Sequence, residues 1–336
     1  MHKLSIILKV LSNFDNILLK KGLLFSGLFC ITNISFSQDL VLNEKEYFET
    51  QGLNVLVFNN EYNGMFFDEK TAGIEFIHHG VRTVTGGAIR LHNTPEQWDL
   101  IPKMVSRKVN KANNTIELIL RYEDFDFDSK IIVTPRGKGF VINVVLDNPI
   151  PKILEGKAGF NMEFLPSTYF ESNYLVDGKA GTFPRYPASK TETRSTSEKI
   201  SQFATHNTFD DRGRDEYIVT SPLESGKNLI FAPENPESTV KIQSENQEIM
   251  LFDGRNLGQN GWFIARSLLP ANKTGNVLTW YVEPNTIPNW TREPVIGFSQ
   301  VGYLPSQKKV SVIELDKNDK VLQSASIFKL TEDENL

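Results

Sequence analysis

Four groups of residues in this chain have types and spacings that could do chemistry. His78 and His79 are adjacent imidazoles, a residue type that ligates metal ions. Successive side chains of a strand point to opposite faces, so the pair predicts one buried, hydrogen-bonded ring and one exposed ring rather than a chelate. Asp124, Asp126 and Asp128 alternate with Phe125 and Phe127, which predicts a strand with three carboxylates on one face and two rings on the other. A calcium loop of the helix-loop-helix type needs Gly at its sixth position and Glu at its twelfth, where Ser129 and Pro135 stand. The expectation is therefore a solvated strand face and no metal site.

Asp210, Asp211, Arg212, Gly213, Arg214 and Asp215 mix acids and guanidinium groups, with His206 nearby. Such a segment could supply one of the two carboxyl groups, roughly 5 to 10 Å apart, that cleave a glycosidic bond. Neighbouring acids and arginines at a surface pair with each other instead, and pairing is the reading adopted. Sugar rings stack on exposed aromatic faces while adjacent amides and acids bond their hydroxyls. Trp98 with Glu96, Gln97 and Asp99 is the best local cluster of that kind, and Tyr169, Tyr174 and Tyr186 flank the most polar stretch. Trp98, Glu96 and Asp99 are the candidate substrate contacts. Gly-x-Ser-x-Gly, a Gly-rich phosphate loop and His-Glu-x-x-His do not occur in the sequence, so these motifs assign no nucleophile, cofactor or metal.

The elements that must position these groups read as strands. The 336 residues are 40% hydrophobic and 23% charged, with 23 Phe against 4 Trp, and this Phe, Val, Ile and Thr usage favours an all-β fold. Strands are predicted at 53–58 and on through 65–67, at 73–82, 104–109, 115–121, 130–134 and 140–146. Residues that tolerate positive φ, Asn113-Asn114 and Arg136-Gly137-Lys138-Gly139, link the last four as a meander. Strands resume at 228–232, 239–242, 249–252, 262–267 and 277–282. Residues 183–217 are polar with no clean period and predict a long loop of functional or disordered character. Thr94 to Trp98 predicts one short helix, with Thr94 as N-cap and Pro95 in its first turn. Pro284 and Pro288 mark a linker.

Lys20-Lys21, an apolar run from Gly22 to Ile31 and Ser35-Phe36-Ser37 predict a secretory signal peptide cleaved after Ser37. The apolar run falls short of the roughly 20 residues that a membrane span needs. The only cysteine, Cys30, lies in this leader, where the bulky Phe29 before it disfavours a lipid anchor; the mature chain would have no thiol. Without the leader, which carries four lysines and one aspartate, the net charge moves from −5 to −8. That balance disfavours nucleic acid and anionic membranes as partners and leaves neutral sugars unpenalised.

The segment Ser299-Gln300-Val301-Gly302-Tyr303, with Pro305 and Lys309 leading into an apolar run, resembles the start of the immunoglobulin-like domain that precedes the catalytic domain in glycoside hydrolase family 9. The family wording has Asn where Ser299 stands. A second resemblance runs from Gly86 through Ile89, His92 and Thr94 to Asp99, similar to a domain found ahead of family 9 modules in some Bacteroidetes polysaccharide-degrading enzymes. The family's Asp-Ala-Gly-Asp run does not occur and no counterpart of its later acid is found, so no catalytic residue carries over.

These observations predict a signal peptide at 1–37, a large antiparallel β-sandwich at 38–285, a linker at 286–292, and at 293–336 the first strands of an immunoglobulin-like β-sandwich, with 321–330 strand-like. The resemblance implies a non-catalytic N-terminal portion of an exported family 9-like hydrolase, a cellulase or endoglucanase type. Its expected partners are the parent's catalytic domain and a polysaccharide, with no cofactor. The alternative is a free-standing carbohydrate-binding or cell-surface sandwich. In a third reading the sandwich is itself a hydrolase, which requires two carboxylates facing each other near 183–217.

Overall fold

The computed structural model describes residues 39–59, 73–92, 100, 102–196, 208–256, 261–326 and 328. The chain divides into two compact units, Ser37–Arg292 and a second that includes Glu293–Leu336.

In the large unit, alternating apolar residues build antiparallel meanders. β1 (Val41–Leu42), β2 (Phe48–Thr50), β3 (Leu53–Val57), β4 (Ile74–His78) and β5 (Val81–Arg90) pair in succession. In β3, Leu53, Val55 and Val57 are buried while Asn54 and Leu56 between them are half-buried, the pattern of a strand with one face on a core. β6 (Lys103–Asn110), β7 (Thr115–Tyr122), β8 (Phe127–Arg136) and β9 (Gly139–Leu146) form the second meander. Its turns use left-handed Asn114 and Gly137, as the sequence predicts.

β10 (Gly159–Phe164) pairs with β5. After the single-turn α1 (Pro166–Tyr169), the hairpin of β11 (Asn173–Val176) and β12 (Lys179–Thr182) lies at one edge of the second sheet. β13 (Thr191–Thr196), β14 (Thr208–Phe209) and β15 (Asp215–Thr220) make a separate three-stranded sheet. β16 (Glu224–Gly226), β17 (Asn228–Phe231), β18 (Val240–Ser244), β19 (Ile249–Asp253), β20 (Phe263–Leu268) and β21 (Gly275–Pro284) complete the unit. The first sheet runs β1-β2-β3-β4-β5-β10-β20-β19-β16 and the second β12-β11-β17-β18-β21-β9-β8-β7-β6.

The two nine-stranded sheets share one apolar core, which makes the fold an all-β sandwich. Phe76 of β4 meets Phe140 of β9 edge-to-face at 5.5 Å, and Phe160 of β10 meets Trp280 of β21 at 5.1 Å. Trp280 is fully buried, and its indole N–H donates to Ser267 Oγ at 3.1 Å. At one end of the core Phe164 stacks on Phe231 at 3.6 Å, and Phe183 packs on both Phe231 and Phe263.

Several expectations change. Residues 183–217 hold β13, β14 and the start of β15 rather than one long loop. β13 has no apolar residue, and the three of β15, Tyr217, Ile218 and Val219, are consecutive, so neither strand shows an alternating period, and backbone pairing joins them into a sheet. Pro284 is the last residue of β21, opposite Val240, rather than the start of a linker. The 124–128 stretch is not one strand, because Asp126 adopts φ 48° at the end of a short 3-10 turn and β8 begins only at Phe127.

In the second unit β22 (Val295–Phe298) pairs with β23 (Ser311–Glu314). Residues 321–326, expected as strand, form none, and Val321 is 82% exposed. The leader, the 65–67 continuation and the helix at Thr94 to Trp98 lie outside the described residues.

Candidate functional site

Trp98, Glu96 and Asp99, the sequence's candidate substrate contacts, lie outside the described residues, as does His206. Gln97 of the same cluster also lies outside them, whereas the histidine pair, Asp126, Asp128, Asp210 and the three tyrosines are placed.

His78 and His79 both lie on the same side of the chain, against the strand rule. His79 and Gly80 have φ 48° and 79°, the two left-handed residues of a tight hairpin turn between β4 and β5. The left-handed step swings the second imidazole onto the first: the rings stack at 4.6 Å, and both residues are buried, where one exposed ring was expected. They pin down the segment 285–292. His78 Nε2 bonds the Asn285 carbonyl, His79 Nδ1–H donates to the Glu237 carbonyl at 2.7 Å, and Ile287 N–H donates to His79 Nε2 at 3.2 Å. Trp290 packs on the His79 ring at 5.2 Å, and Gln51 donates to the Trp290 carbonyl. The predicted linker is thus a strap bonded along the sandwich. Burial lowers the His78 pKa to about 4, with the neighbouring His79 adding to the shift and the bond to Asn285 opposing it. His78 is therefore a neutral ring at neutral pH.

Asp210 closes the β14–β15 turn. Its carboxylate accepts the N–H groups of Arg212 and Arg214 at 2.9 and 2.8 Å and the Arg214 guanidinium at 2.8 Å. The Arg214 N–H leads the groups that hold this carboxyl below its ordinary range. Pairing, rather than an acid poised for catalysis, is what the geometry gives. Arg121 likewise gathers Asp126 and Asp128, and both acids are solvated as expected, although not along one strand. Among the described residues no cluster of three metal-ligating side chains occurs.

Two further groups were not apparent in the sequence. On the outward face of the first sheet, Glu163 of β10 accepts from Arg90 of β5 at 3.0 Å, and Glu75 of β4 accepts from Arg82 and Thr85 at 3.1 and 3.3 Å. Asn161, opposite Arg266 in the ladder, is 1% exposed, and neither end of its amide has a hydrogen-bond partner. Two-residue alternation along β10 could have revealed this polar row.

The second group lies at the open end of the β11–β12 hairpin, where its chain enters and leaves. Of the three tyrosines flanking the polar stretch, Tyr169 and Tyr174 belong to the core, whereas Tyr186 is 74% exposed. Backbone bonds between Glu171 and Phe183 and between Phe183 and Ser172 join the segment that follows Phe170 to the one that precedes Pro184. Arg255, arriving from the end of β19, joins them. It grips Asp253 through Nε and Nη2 at 2.8 and 2.9 Å and donates to the carbonyls of Pro184 and Arg185 at 2.6 and 2.9 Å. Its guanidinium also covers the rings of Phe263 and Phe170 at 4.5 and 5.2 Å. Only tertiary structure assembles this group, because its members are spread from Phe170 to Arg255.

Fold and sites together define an all-β sandwich of two nine-stranded antiparallel sheets bearing a polar outer face and an exposed aromatic end. No protein-family model matches the chain, and no curated protein matches it.

Proposed function

We propose that the chain is the non-catalytic N-terminal portion of an exported family 9-like glycoside hydrolase, whose sandwich positions or stabilises the parent's catalytic domain during polysaccharide degradation. The observation carrying this reading is the behaviour of the residues behind the family resemblance. Ser299 N–H donates to Tyr303 Oη at 3.2 Å, Ser299 Oγ to the Gly302 carbonyl at 3.0 Å, and Tyr303 Oη–H to the Val310 carbonyl. Lys309 Nζ donates to the carbonyls of Leu304 and Pro305 at 3.2 and 2.7 Å. Gly302 takes φ 83°, which a glycine adopts without strain. Ser299, Gly302, Tyr303, Pro305 and Lys309 therefore share one job, fixing the turn that joins β22 to β23. A motif whose residues all serve one local structure supports the resemblance as a structural one. Ser299 performs the capping role through its hydroxyl, so the change from Asn keeps the turn.

The test fuses this chain ahead of a family 9 catalytic domain and compares melting temperature and reducing-sugar release with those of the catalytic domain alone. A higher melting temperature, with sugar release only in the fusion's catalytic part, is expected. Equal melting temperatures, or sugar release by this chain on its own, would overturn the reading.

A further inference from the structure

We infer that the exposed aromatic end of the sandwich, formed by Tyr186, Phe170, Glu171 and Arg255, is a binding site for a neutral polyhydroxylated ring, a hexose or pentose unit of a glycan chain. The inference rests on the proposed function only for the choice of glycans as ligands; the site itself stands on its geometry.

Three features make it a built site rather than two stray rings. The first is rigidity. Tyr169, Phe183, Phe231 and Phe263 form a buried aromatic cluster that Arg255 joins to Phe170 by covering both Phe263 and Phe170, and the backbone bonds at Glu171 and Phe183 lock the two chain segments together. An aromatic on a rigid base loses little freedom when a ligand binds. The second is placement, since Phe170, 42% exposed, lies under the Arg255 guanidinium, and Tyr186, 74% exposed, directly follows Arg185, whose carbonyl accepts from the same guanidinium. One presents itself directly and the other is backed by Arg255. Large rings held in the open on a stiff scaffold offer flat apolar faces to the C–H face of a pyranose.

The third is polar capacity. Arg255 spends four of its five N–H groups on Asp253, Pro184 and Arg185, which leaves one Nη1–H as a donor for a hydroxyl. Glu171 receives Arg185 on Oε2 at 3.1 Å, and Oε1 remains an acceptor. The group thus supplies both a donor and an acceptor for a sugar's hydroxyls. Charge selects the ligand class. Arg255 is balanced by Asp253 and Arg185 by Glu171, so the site offers no net charge to an acidic sugar.

The test is calorimetric titration of the full chain with gluco-, xylo- and manno-oligosaccharides, with an oligogalacturonate as acidic comparator. At least one neutral series is expected to bind in preference to the acid. Tyr186→Ala and Phe170→Ala are each expected to weaken it about tenfold, whereas Tyr186→Phe, which keeps the ring, holds most of the affinity. Tyr186 is so exposed that its removal leaves the far-ultraviolet circular dichroism unchanged, separating lost binding from lost fold. Absence of binding by every neutral oligosaccharide, preference for the oligogalacturonate, or both alanine variants titrating like the unaltered chain would overturn the inference. None of these results bears on the melting temperature of the fusion, so the two proposals fail separately.

Discussion

The two sheets of the sandwich carry similar charged residues on their outward faces and treat them differently. On the second sheet Arg121 meets Asp128 with side chains 35% and 49% exposed, and Lys241 meets Glu283 at 55% and 26%. Water solvates these groups in the folded and unfolded states alike. On the first sheet the Arg90 and Glu163 side chains are 15% and 5% exposed, and Asn161 and Arg266 are buried beside them. There folding strips the charges of water, and the ion pair must replace the lost hydration. The same residue types on the same kind of strand are therefore surface decoration on one face and structural commitments on the other.

The largest effect that could break this contrast is at Arg90. Arg90→Met leaves the Glu163 carboxylate buried without its 3.0 Å donor, and removal of one partner of a buried pair costs about 3–5 kcal/mol. Urea denaturation of the variant should show a loss of that order. A loss no greater than that of a matched surface variant on the second sheet would mean that the first sheet's outward face is solvated after all.

Acid titration comes next in size, through His78 at the end of β4. Its pKa falls from 6.5 to about 4 on folding. The unfolded chain binds a proton between these values and the folded chain does not, so the contribution is fully present above pH 6.5 and declines as pH falls toward 4. At about 1.4 kcal/mol per unit, the window holds on the order of 3 kcal/mol. Unfolding free energy measured across it should fall in the unaltered chain and lose most of that slope in His78→Phe. A slope unchanged by the substitution would place the proton uptake elsewhere.

Asn161→Leu tests the contrast in the opposite direction. Its amide is buried with no partner at either end, and an apolar side chain of similar size removes that desolvation penalty. A gain of about 1 kcal/mol is expected. A loss instead would mean that the amide is satisfied, for instance by an ordered water, and that the row is more polar inside than it looks.

The same contrast governs what could be read in the sequence. β3, β7, β8 and β9 were legible because their buried residues alternate with visibly different neighbours, and left-handed Asn114 and Gly137 supplied the turns. β10 has the same alternation, Phe160, Met162 and Phe164 against Asn161 and Glu163, but it is short and ends just before Pro166, so its period is carried by few residues. β13 has no apolar residue, and the apolar residues of β15, Tyr217, Ile218 and Val219, are consecutive and show no alternation. The histidine pair was misread because strand parity was applied across a turn; His79-Gly80 after an apolar run was the available signal. The candidate glycan site was half visible, in that Tyr186 was noted beside two tyrosines that proved to be core. Arg255 and Phe170 could not be joined to it without knowing that β19 ends beside the β11–β12 hairpin. Proximity between distant segments is a property of the topology, and no local pattern of residue types encodes it.

The smallest expected effect sharpens the comparison most, because it is a predicted silence. Arg121 makes the densest set of ion pairs on the second sheet, reaching Asp126 and both oxygens of Asp128, and those carboxylates raise its pKa. If exposed and buried carboxylate contacts counted equally, it should matter as much as Arg90, which donates to the buried Glu163. By exposure it should matter less. Solvent screens the Arg121 pairs, its acids are fully hydrated once it is gone, and ordering the long side chain offsets part of the attraction. Arg121→Ala is therefore expected to leave the urea midpoint within experimental error, and 1 M salt, which screens exposed charges to about 3 Å, should erase any residual difference. A midpoint shift comparable with that of Arg90→Met would show that the number of contacts, rather than the water removed from them, sets the worth of a charge in this sandwich.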